Sequence, residues 1–281
     1  LMVAVDATCS GLQILAGLAK DRSTAELVNV VPSSKPSDAY KAVADKAKEF
    51  LPSYMHHWMD RSVCKRTVMT IPYNATKDSS RKYIREALLE KKIDPTTDEL
   101  TQIVNAVYQS MDSIVPGPMQ VMRWIKKHVG LYIRNGAKEV QWVTPSGFIV
   151  NQRRDNIETK QMELQLLGRT QVRLPTGKST PSPTKHKSST APNYIHSFDA
   201  SILHRSFTQF DEPFTVIHDS VLCRAGDMGT LNRLVRETYT NIFSEKCWLS
   251  EFAERINASE PPPIVGTLDP KVVSNSTYFF C

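Results

Sequence analysis

Two aspartates in similar settings carry the first chemical signal. The segment "LMVAVDATCSG" ends an apolar run on Asp6 and then turns through small residues, and "FTVIHDSVLC" does the same at Asp219. An ionised carboxylate at the end of what reads as a buried strand is costly unless a metal, a basic side chain or a helix N-terminus meets it. Alone, a strand-end Asp is ordinarily a turn or cap residue, because turns favour that side chain. Two of them on neighbouring strands of one sheet are different. Their mutual repulsion would raise one pKa sharply unless a divalent cation sat between them. Mg²⁺ suits such a pair best, since it is hard, seeks oxygen, and is commonly held by one or two carboxylates plus substrate phosphates.

The segment "DRSVCKRTVMTIPYN" places Arg61, Lys65, Met69 and Tyr73 at successive four-residue steps. On a helix these share one slowly drifting stripe. A solvated helix face would account for the two cations, but not for an aromatic ring beside Pro72, where the helix must stop. Two cations a turn apart leading to a ring suit a nucleoside triphosphate lying along the helix, phosphates on Arg61 and Lys65 and the base or sugar against Tyr73.

The elements that must position these groups can be outlined from pattern. The chain has 281 residues, 41% of them hydrophobic, enough to bury the core of one large domain or two modest ones. Lys and Arg outnumber Asp and Glu by 35 to 29, and the resulting +6 leans toward a polyanionic partner without requiring one. Cys9, Cys64, Cys223, Cys247 and Cys281 are scattered without a CxxC spacing, so they read as reduced intracellular thiols, not as a disulfide frame or zinc site. No apolar run approaches the roughly 20 residues needed to cross a bilayer, and no signal-like segment is present, which points to a soluble protein with no membrane partner. The chain opens without lead-in on an apolar strand pattern. A buried strand needs neighbours on both sides, so the expectation is the C-terminal part of a longer protein.

Helical spacing follows over residues 12–19, and again after Ser37 or Asp38 as N-cap, with Tyr40, Ala44, Ala47 and Leu51 on one face and a stop at Pro52. Residues 55–72 read as one helix, and residues 76–130 as mostly amphipathic helix broken at "KIDPTTDEL". The segment "VQWVTPSGFIVNQ" alternates on either side of Pro145-Ser146-Gly147, a hairpin signal. Residues 169–190 contain Arg169, Arg173, Lys178, Lys185 and Lys187 and no acid among many Pro, Ser and Thr. They are expected to form a mobile basic loop, either a solvated linker or a phosphate-tracking segment. Helix resumes in "APNYIHSFDASILHRSF", two short strands flank the turn in "FTVIHDSVLC", and "MGTLNRLVRETYTNIF" is an amphipathic helix.

In order and approximate spacing, "DATCSGLQ", "RSVCKRTVMTIPY" and "IHDS" resemble the three polymerase motifs of bacteriophage-type single-subunit RNA polymerases, whose relatives also transcribe mitochondrial DNA. "WVTPSGF", "APNYIHSFDAS" and "STYFFC" resemble further signatures of that family, so the likeness runs from Asp6 to the last residue. It implies an α+β right-hand polymerase fold: a palm with a small antiparallel sheet from residues 1–54 and 191–281, and a mainly helical fingers subdomain from residues 55–190 that includes the hairpin and basic loop. The family's thumb and N-terminal domain would lie before Leu1 and are absent from this chain.

By the same resemblance, Asp6 and Asp219 would hold two Mg²⁺ ions, with the carbonyl of Ala7 as a further ligand. Lys65 would bind the nucleotide's phosphates and assist the departure of pyrophosphate, and Arg61 would contact the same phosphates. Tyr73 would close the site and help distinguish ribose from deoxyribose, while His196 would lie near the minor groove of the nascent base pair. His218 is expected to position its neighbours rather than act as a general base. The implied reaction is in-line attack of an RNA 3′-hydroxyl on an α-phosphate. The implied partners are a DNA template, nascent RNA and ribonucleoside triphosphates. The protein would act as a monomer, in the host-cell cytoplasm if phage-encoded or otherwise in the mitochondrion.

Three positions depart from the family pattern. Asn74 stands where many relatives have Gly, although Asn tolerates a left-handed backbone better than most residues. Ala7 occupies a position often taken by Gly, and Cys281 one where Ala or Ser is common. A DNA polymerase of the related superfamily is the nearest rival, but its third motif usually reads His-Asp-Glu and its first carries a Glu that blocks the ribose 2′-hydroxyl. Here Ser220 and Gly11-Leu12-Gln13 stand in those places. A nucleic-acid-binding module without catalysis is the rival from another class. The presence of Asp6, Asp219, Lys65 and Tyr73 argues against it.

Overall fold

The computed structural model describes residues 1–165 and 168–281. Strand β1 (Met2–Asp6) leads into α1 (Ser10–Ala19), and Asp21 starts α2 (Arg22–Leu27). Helix α3 (Ala39–Lys48) is capped by Asp38, whose carboxylate accepts the N–H groups of Tyr40 and Lys41. Of the two caps the sequence allows, the carboxylate is the one used. Asp60 caps α4 (Arg61–Thr70), Thr76 caps α5 (Lys77–Glu90), and Thr96 with Glu99 forms a capping box on α6 (Thr97–Ile114). Helix α7 (Pro116–Arg134) begins on a proline, which lacks the N–H that a first helical position cannot use.

A hairpin of β2 (Val140–Val143) and β3 (Ile149–Gln152) is followed by a long ribbon of β4 (Asp155–Leu164) and β5 (Thr170–Pro181). Then come α8 (Pro183–Phe207), β6 (Phe214–Ile217), β7 (Ser220–Arg224), α9 (Met228–Glu245) and α10 (Trp248–Arg255). The class is α+β, with three small antiparallel sheets among the described residues: β1-β7-β6, β2-β3 and β4-β5. In the first of these, Asp6 lies opposite Ser220, so the ends of β1 and of the β6–β7 turn are neighbours. Among the described residues, no helix is long and apolar enough to cross a membrane. The five cysteines are free.

Helix α1 is the centre of the core. Its residues from Gly11 to Ala19 are all buried, matching a sequence that is apolar on nearly every face. A Cβ on Gly17 would lie 2.8 Å from the Phe243 ring, so the glycine lets α9 approach closely. The Tyr239 hydroxyl donates to the carbonyl of Gln13 at 2.8 Å across the same contact.

Three expectations need correction. Residues 55–72 are not one helix: a 3-10 segment, Ser53–Trp58, precedes α4, because Asp60 adopts an extended backbone to cap it. Residues 169–190 are not a loop but β5 and the start of α8, joined at Ser182, whose side chain accepts from the N–H of Lys185. The ribbon escapes sequence pattern because both its faces are exposed, which removes the apolar alternation that marks a strand. The strand before Asp219 is not buried either: β6 is an edge strand, with Ile217 63% exposed.

Pro192 lies inside α8 and cannot donate to the carbonyl of Ser188 one turn earlier. The side-chain amide of Asn74 supplies the missing donor at 2.7 Å. Asn74 itself has φ of 65°, the left-handed conformation that its type tolerates, and so it ends the segment after α4 while tying that end to α8.

Asp21 joins two helix starts. Its carboxylate accepts from the N–H of Thr24 at 3.2 Å in α2 and from the N–H of Gly117 at 3.1 Å in α7. Asp21→Ala removes a cap and leaves a buried N–H unpaired, so urea denaturation should show a loss of about 2–3 kcal/mol.

Candidate active site

Ile217 pairs with Ser220, so His218 and Asp219 form a two-residue turn between β6 and β7. His218 takes φ of 57°, a conformation that costs a non-glycine residue about 1 kcal/mol and persists where surroundings impose it. The turn delivers Asp219 beside the end of β1. Ser220 Oγ donates to the Val5 carbonyl at 3.3 Å, stitching the two strand ends together.

A cleft of about 360 Å³ opens at this point, lined by Asp6, Ala7, Arg61, Lys65, Tyr73, His196 and Asp219. These are all of the site residues expected from the sequence, drawn from β1, α4, α8 and the β6–β7 turn. Burial pushes the Asp6 carboxyl above its ordinary range, and the charge of Asp219 pushes it further, against the opposing pull of the Ala7 N–H and Lys65. The donors gathered at the strand ends are oxygens. Among the described residues, no group of three or more His, Cys, Asp or Glu side chains could cage a metal ion. A hard cation here would need further oxygens from water or substrate, the usual arrangement for Mg²⁺.

Arg61 is held from behind. Its Nε donates to Asp38 Oδ2 at 2.7 Å, and its guanidinium lies 5.3 Å from the centre of the Tyr40 ring. The hydroxyl of Tyr40 reaches the Thr8 carbonyl at 3.3 Å, so α3 braces both Arg61 and the turn after Asp6. Within the described residues, only Nε of this guanidinium has a hydrogen-bond acceptor.

Tyr73 is fixed on two sides. Its hydroxyl is 3.1 Å from Ser10 Oγ, and its ring stacks on His196 with centroids 4.4 Å apart and planes 16° from parallel. A Cβ on Gly11 would sit 2.9 Å from the Tyr73 hydroxyl, so this approach requires glycine. Burial, followed by the charge of Asp199, raises the phenol's pKa and keeps it protonated. Burial and then repulsion from His218 lower that of His196, so the ring facing Tyr73 is neutral near pH 7.

Asp199 lines the same cleft and was not singled out from the sequence. It follows His196 by three residues on α8, one turn along the same face, a spacing that was open to inspection. Burial, then the charges of Asp219 and Asp6, push its carboxyl up to about 7. The last residues of the chain, where "STYFFC" resembles a family signature, brace the turn after Asp6. The backbone of Asp6 exchanges hydrogen bonds with Cys281 at 3.1 Å each, Thr8 Oγ1 donates to the Tyr278 carbonyl at 2.9 Å, and Gln13 Nε2 donates to the Phe279 carbonyl at 3.0 Å. Arg236 Nε clamps the Ser276 carbonyl at 2.9 Å.

A carboxyl whose pKa is higher folded than unfolded makes the folded state bind more protons. Stability should therefore fall as pH rises from the ordinary Asp value of 3.8 toward about 7. Asp199→Asn should remove this contribution: the difference in Tm between variant and wild type should move in the variant's favour across that window. An unchanged difference would contradict the assignment.

The family model of the DNA-dependent RNA polymerases matches residues 1–260. Over its whole length the chain is 28% identical to the mitochondrial DNA-directed RNA polymerase of Homo sapiens, of which it covers 25%. It is 26% identical to the DNA-directed RNA polymerase of Pseudomonas phage phiKMV, matching over 100% of the chain and 37% of that protein. With the chloroplastic/mitochondrial DNA-directed RNA polymerase 2 of Arabidopsis thaliana it shares 30% identity over 98% of the chain and 30% of that relative. The chain therefore spans well under half the length of these relatives. Strand-end carboxylates, a cationic helix and a tyrosine–histidine stack meeting in one cleft accord with that match, and the chain belongs to the DNA-dependent RNA polymerase family.

Proposed function

We propose that the chain is the catalytic portion of a DNA-directed RNA polymerase, extending an RNA 3′-hydroxyl on a DNA template with ribonucleoside triphosphates. The observation that carries this reading is the convergence in one cleft of Asp6 and Asp219 with Arg61, Lys65 and Tyr73. In this reading the β1-β7-β6 sheet with residues 1–54 and 191–281 is the palm, and residues 55–190 are the fingers. The protein acts as a monomer, in the host-cell cytoplasm or in the mitochondrion according to its source.

The site fits two Mg²⁺ ions, held by Asp6 and Asp219 with the Ala7 carbonyl as a further oxygen. The raised pKa of Asp6, caused first by burial and then by the charge of Asp219, is in keeping with a place for positive charge between the two carboxylates. Bound there, the ions would supply Lewis-acid stabilisation and a more acidic attacking hydroxyl. The protein's own groups position the rest. Lys65 and Arg61 bind the triphosphate, Arg61 with its orientation set by Asp38 and its plane set by Tyr40. Tyr73, held by Ser10 and His196, presents its ring to the sugar and base of the incoming nucleotide. Gly11 stands where a DNA polymerase of the related superfamily would carry its blocking Glu, and the Tyr73 hydroxyl packs close against it instead, which weighs against that rival.

Primer extension on an RNA–DNA hybrid with Mg²⁺ tests the reading. Asp219→Asn should reduce extension by at least roughly 10²–10³-fold, as expected for removing one group that stabilises developing charge, while template binding stays near wild type. Retained extension in that variant would refute the metal assignment. Tyr73→Phe should narrow the preference for ribonucleotides by up to about tenfold, the value of one hydrogen bond. A wild-type preference for deoxynucleotides would reverse the choice of product.

Asp38→Asn leaves the α3 cap in place but weakens the hold on Arg61. The KM for nucleotide should rise about 3–10-fold with a smaller change in kcat, as for loss of a charge-assisted hydrogen bond. Equal KM values would show that Arg61 needs no such support.

A further inference from the structure

One cationic cluster lies apart from the residues of the cleft. Arg123, Lys126 and Gly130 follow one another by three and four residues on α7, so they share one face of that helix. Lys187, in the second turn of α8, lies across this face: a Cβ on Gly130 would be 2.7 Å from its Cδ and 2.9 Å from its Cγ. Glycine within a helix costs about 0.5–1 kcal/mol relative to alanine. Here it leaves room for the Lys187 stem to lie across α7.

The charges gathered there are poorly compensated. Arg123 is paired with Asp112, but among the described residues neither Lys126 nor Lys187 has a carboxylate within ion-pair distance. The adjacent Lys127 does find one, Glu260, so the lack is local to this face. Burial, followed by the charges of Arg123 and Lys187, lowers the pKa of the Lys126 ammonium. Like charges drawn together and partly desolvated oppose folding unless an anion joins them.

The position of the cluster indicates which anion. Ser188, next to Lys187, accepts the Asn74 amide, and Asn74 follows Tyr73. Lys187 therefore stands beside the junction that carries Tyr73 into the cleft. A pair of ammonium groups on flexible stems across two helices suits one phosphate of a polymer passing over the surface, with affinity drawn from counterion release. We propose that Lys126 and Lys187 form a phosphodiester site that holds a backbone phosphate of the DNA template beside the cleft. The proposal rests on the polymerase reading for the identity of the strand, and on the two helices alone for the site.

Binding of a fluorescent single-stranded oligodeoxynucleotide to the protein, followed by anisotropy across a salt series, tests it. Single Lys126→Met and Lys187→Met substitutions keep apolar stems and remove charge. Each should weaken binding severalfold at low salt, and the double variant should reduce the slope of log K against log salt by roughly 0.7 for each phosphate released. The variants should melt at or above the wild-type temperature, because repulsion is relieved. Lys126→Arg with Lys187→Arg should keep the slope. An unchanged slope in the double Met variant, or no binding of DNA by wild type, would overturn the site. So would stabilisation of wild type alone by millimolar pyrophosphate or inorganic phosphate with the DNA slope unaffected, which would mark a small-anion site instead. An altered slope together with no RNA extension by wild type would leave the phosphate site standing and count against the polymerase reading.

Discussion

Repulsion between two carboxylates at adjacent strand ends is the constraint around which the structure is arranged. The antiparallel pairing of β1 with β7 sets Asp6 opposite Ser220 and so places Asp219 alongside. Neither strand could slip by one residue without sending the carboxylate to the other face of the sheet. Several devices hold this register: the left-handed His218, the Ser220 bond to Val5, and the backbone pairing of Asp6 with Cys281. Each spends conformational freedom to keep like charges together, which makes sense where a cation is to join them.

The side of the cleft that carries Arg61 and Tyr73 depends on contacts between helices. Gly11 and Gly17 lie on α1 and permit, respectively, the approach of Tyr73 and of α9. Pro192 frees the Ser188 carbonyl on α8 and Asn74 takes it, so the segment after α4 is tied to α8 both there and through the Tyr73–His196 stack. Arg61 is similarly dependent on α3 through Asp38 and Tyr40. The chemistry sits on side chains from distant parts of the chain, but their geometry is set by a few small or capping residues.

Much of this was legible in the sequence because the governing signals are local. Strand-end Asp6 and Asp219, the four-residue stripe from Arg61 to Tyr73, and the hairpin around Pro145-Ser146-Gly147 all show in residue type and spacing. What was missed depends on partners far along the chain or on exposure. The β4–β5 ribbon has no buried face, so its strands lack alternation and its prolines suggest a loop. Asp199 reads as an ordinary helix residue until Asp6 and Asp219 are placed near it. Arg236 looks like one more charge on an amphipathic helix, and only the fold shows it clamping the carbonyls of Ser276 and Thr277. The apolar pattern before Asp219 misled for the opposite reason: β6 is an edge strand whose side chains remain exposed.

The central claim is that Asp6 and Asp219 form a site for divalent cations. Anomalous diffraction from crystals of the protein soaked in Mn²⁺, a stand-in for Mg²⁺, addresses it directly. The account predicts an anomalous peak within coordination distance, about 2.0–2.3 Å, of oxygens from both carboxylates, lost when Asp219 is replaced by Asn. Peaks confined to other acidic groups, with the two carboxylates left bare, would contradict it.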